Sequence, residues 1–405
     1  MRKRFALKQV GLTGEVQGGR QRSPHMTAGK VVPYLRVANV FDGYIDFSDV
    51  NSMPFKPKEI EKFRLKKGDI LLNEGQSIEL VGRCSMYLDG PEDCCYQNTL
   101  VRYRAGPDVD SEFATQLFRH CQAIGIFSRI AVRTNSIAHL GVSRFSELEL
   151  PFPPLPEQRK IAAILRTWDL GLEKLSALRK AKELRFKGLS QRLLAPARAI
   201  GRGIPRSNWT LSSFGEVFSE RRDANCGFGP DDVVTVGKYA IRKQSEHFTR
   251  SVASQDLGKY WIISPGNFVY DPMSAYYGAI GRYGSSGVGL VSPAYRVIRL
   301  DRSVDADFMT HLLRSQPIRF LLEARSSQGN KEGKRRLLQR DEFAGIGFNL
   351  PPIEVQREIA SRLAFAQRDL ELTDREIAAL TRQKRGLMQK LLTGEWAVNL
   401  EGATA

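Results

Sequence analysis

Apolar positions recur along two stretches of the chain at steps of alternately four and three residues. In the first stretch the stepped positions are Ile161, Leu165, Trp168, Leu172, Leu175, Arg179, Lys182, Phe186, Leu189 and Leu193, and eight of the ten are large and apolar. In the second they are Ile359, Leu363, Ala366, Leu370, Thr373, Ile377, Leu380, Lys384, Leu387 and Leu391, with seven of ten. This spacing predicts two long helices, each carrying one apolar stripe for another helix. Prolines precede both stretches and none interrupts them before Pro196, which suits a helix start followed by an unbroken run. Pro156 to Leu194 is 39 residues, a helix of about 58 Å. Elsewhere the pattern shortens to β-rich runs such as Val31–Val37, Asp69–Leu72, Tyr260–Ile263 and Tyr295–Ile298. Gly, Pro, Asn and Asp turns separate them. Helical stretches are predicted near Glu112–Ser128 and Asp307–Arg325.

The two stripes belong to an internal repeat. Pro153-Pro154-Leu155-Pro156-Glu157-Gln158-Arg159-Lys160-Ile161-Ala162 returns as Pro351-Pro352-Ile353-Glu354-Val355-Gln356-Arg357-Glu358-Ile359-Ala360, an offset of 198 residues. The same offset aligns Gly188–Leu194 with Gly386–Leu392 and Leu140, Phe145 and Leu150 with Leu338, Phe343 and Phe348. A repeat of this length sets the architecture before any motif does. The expected fold class is α+β: two mixed α/β domains, residues 1–152 and 199–350, alternate with long helices at 153–198 and 351–397. A flexible tail, 398–405, follows, and Ala195–Ser207 is the linker into the second domain. If the repeat folds with pseudo-two-fold symmetry, the helices run antiparallel as a coiled coil. Ile161 then faces Leu391, Leu175 faces Ile377, Phe186 faces Ala366, Arg179 faces Thr373 and Lys182 faces Leu370. Trp168 would meet the Lys384 ammonium on its indole face.

Composition narrows the function. Lys and Arg number 61 against 44 Asp and Glu, a net charge of +17, which favours a polyanionic partner. Residues 153–200 carry +7 of it and 351–405 none. No apolar run approaches the ~18 residues that cross a bilayer, and no apolar segment follows the basic start as in a secretory signal. Five cysteines without a C-x-x-C pair fit a reducing cytoplasm better than a disulfide framework or structural zinc. There is no G-x-x-x-x-G-K-[ST] loop, no G-x-G-x-x-G and no acid-x-Lys pair at nuclease spacing. Asp271-Pro272-Met273-Ser274 reads as a turn. The chain is expected to be a binder and not an enzyme, with no metal site and no cofactor of its own.

The basic loops supply candidate contacts. Ser326–Arg336 combines glycine, amides and a cationic cluster, and its offset partner is Ser128–Ser136. Such loops place cations on phosphates and amides near base edges. Candidate DNA contacts are therefore Arg133, Thr134, Asn135 and Ser136 in the first half and Gln328, Asn330, Lys334, Arg335 and Arg336 in the second. Polar anchors on adjoining turns are Arg20, Arg22, Asn73, Gln76, Arg83, Arg221, Arg222, Tyr276, Tyr277 and Arg282. On the helices, Ile164, Leu178 and Leu194 lie outside the stripe and are candidate contacts for a partner protein.

This layout resembles the DNA specificity subunit of type I restriction–modification enzymes. The resemblance rests on the two proline-led Gln-Arg-x-Ile-Ala helix openings, each after a diverged domain, and it covers essentially the whole chain. It implies two target recognition domains, each reading one half of an asymmetric bipartite double-stranded DNA target. It also implies that the helices space the halves and dock two methyltransferase subunits, with two ATP-driven restriction–translocase subunits completing the complex. S-adenosylmethionine, ATP and magnesium would then belong to the partner subunits. The alternative is a coiled-coil interaction scaffold without sequence-specific DNA recognition. A recognition segment of a single-chain modifying enzyme would need methyltransferase motifs, and the chain has none.

Overall fold

The computed structural model describes residues 5–400 apart from 22–27, 135, 195–207, 227–231, 239, 244–256 and 329–335. Contacts divide it into two units, residues 1–176 with 375–405 and residues 177–374. Each is described by itself.

In the first unit an antiparallel sheet is ordered Gly14–Gly18, Leu100–Ala105, Ile70–Asn73, Cys84–Met86. A second sheet is ordered Asn51–Phe55, Lys30–Leu35, Cys95–Tyr96, its last pair parallel. Ile70–Asn73 is buried at every position, as expected of a strand covered on both faces. The helical stretch is broken into Ser111–Ala123 and Ile126–Ile130 by Gly125, whose φ of 75° a residue with a side chain adopts only at a cost. The core between sheet and helices is aromatic, with Phe118 edge-on to Tyr103 (5.0 Å) and to Phe145 (5.2 Å).

The second unit repeats this plan with different residues. Its main sheet is ordered Phe218–Arg221, Arg296–Leu300, Phe268–Tyr270, Ile280–Arg282. Its second sheet is ordered Ala240–Lys243, Val233–Gly237, Gly289–Val291, Trp261–Ile263, and again one pair, Val233–Gly237 with Gly289–Val291, is parallel. Two helices, Ala306–Arg314 and Gln316–Arg325, meet at Ser315, which is followed after one residue by Pro317. A proline has no N–H to continue the preceding helix but is tolerated in the first turn of the next.

The two predicted long helices are present as Leu155–Leu194, the central helix, and Ile353–Leu392, the distal helix. Their shared opening motif has a physical reason. Gln158 accepts from the Asp110 N–H (2.9 Å) and donates to the carbonyls of Pro153 (2.8 Å) and Asp108 (3.0 Å). Gln356 accepts from the Asp305 N–H (2.7 Å) and donates to the Pro351 carbonyl (2.8 Å). Asp110 and Asp305 are the N-caps of Ser111–Ala123 and Ala306–Arg314, so in each unit one buried glutamine ties a long helix to a neighbouring helix start.

The helices are antiparallel in both units. In the first, Ile161, Ala162 and Leu165 share a core with Met388, Leu391 and Leu392. In the second, Leu193 and Leu194 share one with Ile359, Ala360 and Leu363. Polar partners fall within one turn of the expected register: Arg179 pairs with Asp374 (2.6 Å), and Lys182 reaches Asp369 (2.8 Å) and Thr373 (2.9 Å). One expected contact is not made. The Lys384 ammonium goes to Asp169 at 2.5 Å rather than onto the indole of Trp168. A carboxylate beside the ring outbids a π-face for a cation that is 5% exposed.

Candidate nucleic-acid interface

Each unit carries a small hairpin beside the loop that leaves its buried sheet strand. In the first, Val132–Thr134 pairs with Ile137–His139, and Ala138 pairs in turn with Gln76 on the strand Gly75–Gln76. Arg133, Thr134 and Ser136 are exposed there. Glu79 sits below the usual carboxylate range, held by its own backbone N–H and the Ser77 hydroxyl with Arg133 contributing. The guanidinium of Arg83, half-buried, lies over the Phe41 ring at 4.8 Å. His139 Nδ1 meets Glu74 Oε2 at 3.0 Å and fastens the hairpin to the loop. Asn135 lies outside the described residues, as does Arg22.

In the second unit Ser327–Gln328 pairs with Arg336–Leu337. The Arg336 guanidinium lies 5.5 Å from the centre of the Tyr276 ring and 3.2 Å from Glu323. Tyr276 and Tyr277 meet edge to face at 5.6 Å in the single helical turn Ala275–Tyr277, and Tyr277 is exposed. The sequence before that turn behaves as predicted: Asp271 Oδ1 accepts from the Met273 N–H (2.9 Å), an acidic side chain closing its own turn. Asn330, Lys334 and Arg335 lie outside the described residues. Arg282 is at the surface, paired with Asp307 at 2.9 Å. Arg222 is paired with Glu220 at 2.9 Å.

The structure therefore gathers Gln76, Arg133, Thr134 and Ser136 on one hairpin surface, and Tyr276, Tyr277 and Arg336 with the Gln328 strand on another. It removes three predicted contacts from the surface. Arg20 is 5% exposed, held by Glu59 (3.0 Å), the Pro54 carbonyl (2.5 Å) and the Phe55 ring (4.6 Å). Asn73 is fully buried and bonded to the Val40 carbonyl. Leu194 is 6% exposed within the second unit's core. Ile164 packs partly against the first unit's core, and Leu178 remains 45% exposed.

Sequence reasoning named Arg221 but missed the groove it shares with Arg299 and Arg302 on the second unit. Arg221, Arg299 and Arg302 line a cavity of about 390 Å³ with Ser219 and Asp301. Ser219 is the strand partner of Arg299, so residues 80 positions apart reach one surface. Among the described residues, no group of three or more His, Cys, Asp or Glu could hold a metal ion, and no helix is long and apolar enough to cross a membrane.

Known proteins agree with this layout. Residues 13–184 match the family described as the type I restriction modification DNA specificity domain. The chain is 23% identical over 391 residues to a Methanocaldococcus jannaschii protein provisionally named the type I restriction enzyme MjaX specificity subunit, covering 90% of this chain and 87% of that one. Two solved structures share the fold over nearly the whole chain. The type I restriction–modification S subunit from M. genitalium superposes with a TM-score of 0.53 at 16% identity, covering 96% of both chains. A chain from a study of assembly and conformational transition in the type I system superposes with a TM-score of 0.59 at 15% identity, covering 97% and 98%.

Proposed function

We propose that this chain, which carries the type I restriction–modification DNA specificity domain, is the DNA-reading subunit of such a system and performs no catalysis itself. The observation that carries the reading is one topology built twice with different hairpin chemistry. Arg133, Thr134 and Ser136 are presented in the first copy, and Tyr276, Tyr277 and Arg336 in the second. Two scaffolds of the same shape with unlike surfaces suit two unlike half-sites. Residues 1–152 and 199–350 then serve as the two target recognition domains, and 153–198 and 351–397 as the spacer helices. Exposed Leu178, Leu184, Phe365 and Leu372 on those helices give protein partners an apolar surface. The partners are two methyltransferase and two restriction–translocase subunits in the cytoplasm. These would bring S-adenosylmethionine, ATP and magnesium.

Phosphate contacts make DNA affinity fall steeply with salt, about one unit of logarithmic slope per neutralised phosphate. The chain should be mixed with its methyltransferase subunit and titrated onto duplex DNA at several salt concentrations. A steep negative slope is expected. Salt-independent or undetectable binding would favour a scaffold.

A further inference from the structure

One face of the second unit's main sheet carries a cluster of arginines around a single acid. Glu220, whose side chain is 11% exposed, accepts from Arg222 Nε at 2.9 Å, meets Arg340 Nε at 3.2 Å and has an Arg296 nitrogen at 3.7 Å. The sheet explains the gathering. Glu220 pairs with Ile298 across two strands, and residues two apart share a face, so Arg296 lies on the side of Glu220. The helix Arg340–Ala344 packs on that side, with Phe343 stacked on Tyr270 at 4.5 Å and Arg340 one turn before it. A guanidinium carries five N–H donors. Arg222 and Arg340 reach Glu220 through Nε, which leaves their forked ends clear of it. Three cations share this one carboxylate, and none of them pairs with another acid among the described residues.

The first unit places no charge at the same corner. Backbone hydrogen bonds fix the correspondence. The Val10 N–H donates to the Leu148 carbonyl (2.9 Å) and the Phe214 N–H to the Ile346 carbonyl (3.0 Å), while the Gly106 N–H donates to Thr13 (3.0 Å) and the Asp301 N–H to Val217 (2.8 Å). Counting from these anchors, Val16, Gly18 and Val101 stand where Glu220, Arg222 and Arg296 stand. The repeat offset puts Val142 where Arg340 stands. Val101 is buried, Val16 and Val142 pack against the first unit's core, and a Cβ on Gly18 would lie 3.2 Å from Val142. One copy closes this corner with small apolar residues. The other carries a surplus of two positive charges there, which the shared topology does not require.

We infer that Arg222, Arg296 and Arg340 hold a DNA backbone phosphate beside the half-site that the second unit reads, a contact with no counterpart in the first unit. The cluster is joined to the surface of Tyr276, Tyr277 and Arg336. Tyr270, the strand partner of Arg296, runs into the turn before Tyr276, and the Leu338 N–H donates to the Pro272 carbonyl (2.9 Å), fastening the strand Arg336–Leu337 to that turn. Guanidinium forks match phosphate oxygens two at a time. Such a contact positions a duplex without reading its bases, and Glu220 holds the three cations together for it. The inference rests on the functional reading above, which supplies the duplex.

The test is fluorescence anisotropy of the full chain, mixed with the methyltransferase subunit, on duplex DNA at several salt concentrations. Wild type is compared with the pair Arg296→Gln and Arg340→Gln and with Glu220→Gln alone. The arginine pair should weaken binding about tenfold and flatten the salt slope by about one unit. The loss should be the same on a duplex carrying the methylated motif and on a scrambled one. Glu220→Gln leaves the cations without their acid and should bind DNA more tightly than wild type, which loss of a merely structural ion pair would not produce. Thermal unfolding shows whether each variant is folded, and if the arginine pair is not, Glu220→Gln decides. Unchanged affinity in a folded arginine pair, a loss confined to the duplex with the motif, or equal or weaker binding by Glu220→Gln overturns the phosphate assignment. Weakened methyltransferase association with unchanged DNA binding overturns it too, and makes the cluster a protein contact. A wild-type complex without salt-dependent DNA binding refutes the functional reading instead.

Discussion

Replacing Asp169 by Asn removes the acid that pairs with Lys384 while keeping the side chain's size. Lys384 is 5% exposed and comes from the distal helix, whereas Asp169 belongs to the central helix and keeps 32% of its side chain exposed. Breaking a fully buried pair by removing one partner costs roughly 3–5 kcal/mol, because the remaining charge stays desolvated. Two features reduce that here. Asp169 is partly wet, and Arg119 keeps a second acid, Asp42, at 2.7 Å. The expected loss is therefore about 2–3 kcal/mol, which for a unit of this size lowers the unfolding temperature by roughly 4–12 °C. Burial pushes the Asp169 carboxyl up, but Lys384, Arg119 and Gln116 bring it below its ordinary value. A depressed acid stabilises the fold above its unfolded value near ~3.9 and loses that contribution as pH falls through the lower folded value. The difference between wild type and Asp169→Asn should accordingly be full at neutral pH and shrink in acid. Urea unfolding at pH 7 and at acid pH measures it. The double change Asp169→Leu with Lys384→Met should recover most of the loss, since apolar replacement of a buried pair is close to neutral. If Asp169→Asn unfolds within about 0.5 kcal/mol of wild type at pH 7, below the size expected for a desolvated pair, the cluster does not hold the helices together.

Gln158→Leu should destabilise the first unit by about 2–3 kcal/mol, because it strands the Asp110 N–H and the Pro153 carbonyl away from water. Gln356→Leu should do the same in the second unit, and denaturant melts of the two variants check both. Arg336→Ala with Tyr276→Ala should weaken DNA binding by the complex and flatten its salt slope by about one unit. Unchanged affinity and slope in fluorescence anisotropy would place the contact surface elsewhere.

The parts legible in the sequence were those written locally and twice. The four–three stripe gave both long helices, their antiparallel course and their register to within a turn, because each signal lies inside one helix and the repeat supplies it again. The Gln-Arg opening was visible as a motif, but its purpose was not, since the Asp110 and Asp305 N–H groups lie about 50 residues upstream. Lys384 was misassigned to Trp168 for a related reason. The expected register alone puts the indole opposite the ammonium, whereas Asp169, held also by Gln116 and Arg119 of Ser111–Ala123, is the partner Lys384 takes. Arg20 looked like a surface cation until the fold brought Glu59 and Phe55 around it. Conversely, Arg299 and Arg302 had no motif, and their groove with Arg221 exists only through the pairing of Phe218–Arg221 with Arg296–Leu300.

The central claim is that two unlike domains on one chain read two unlike half-sites. Mapping methylated bases across the genome of cells that express the chain with the proposed methyltransferase subunit tests it most directly, especially when repeated after exchanging residues 1–152 for the corresponding domain of a relative such as the Methanocaldococcus jannaschii protein. The account predicts an asymmetric motif of two short specific blocks around a non-specific gap, with the exchange altering one block and leaving the other intact. A continuous or palindromic motif, or an exchange that alters both blocks, would contradict it.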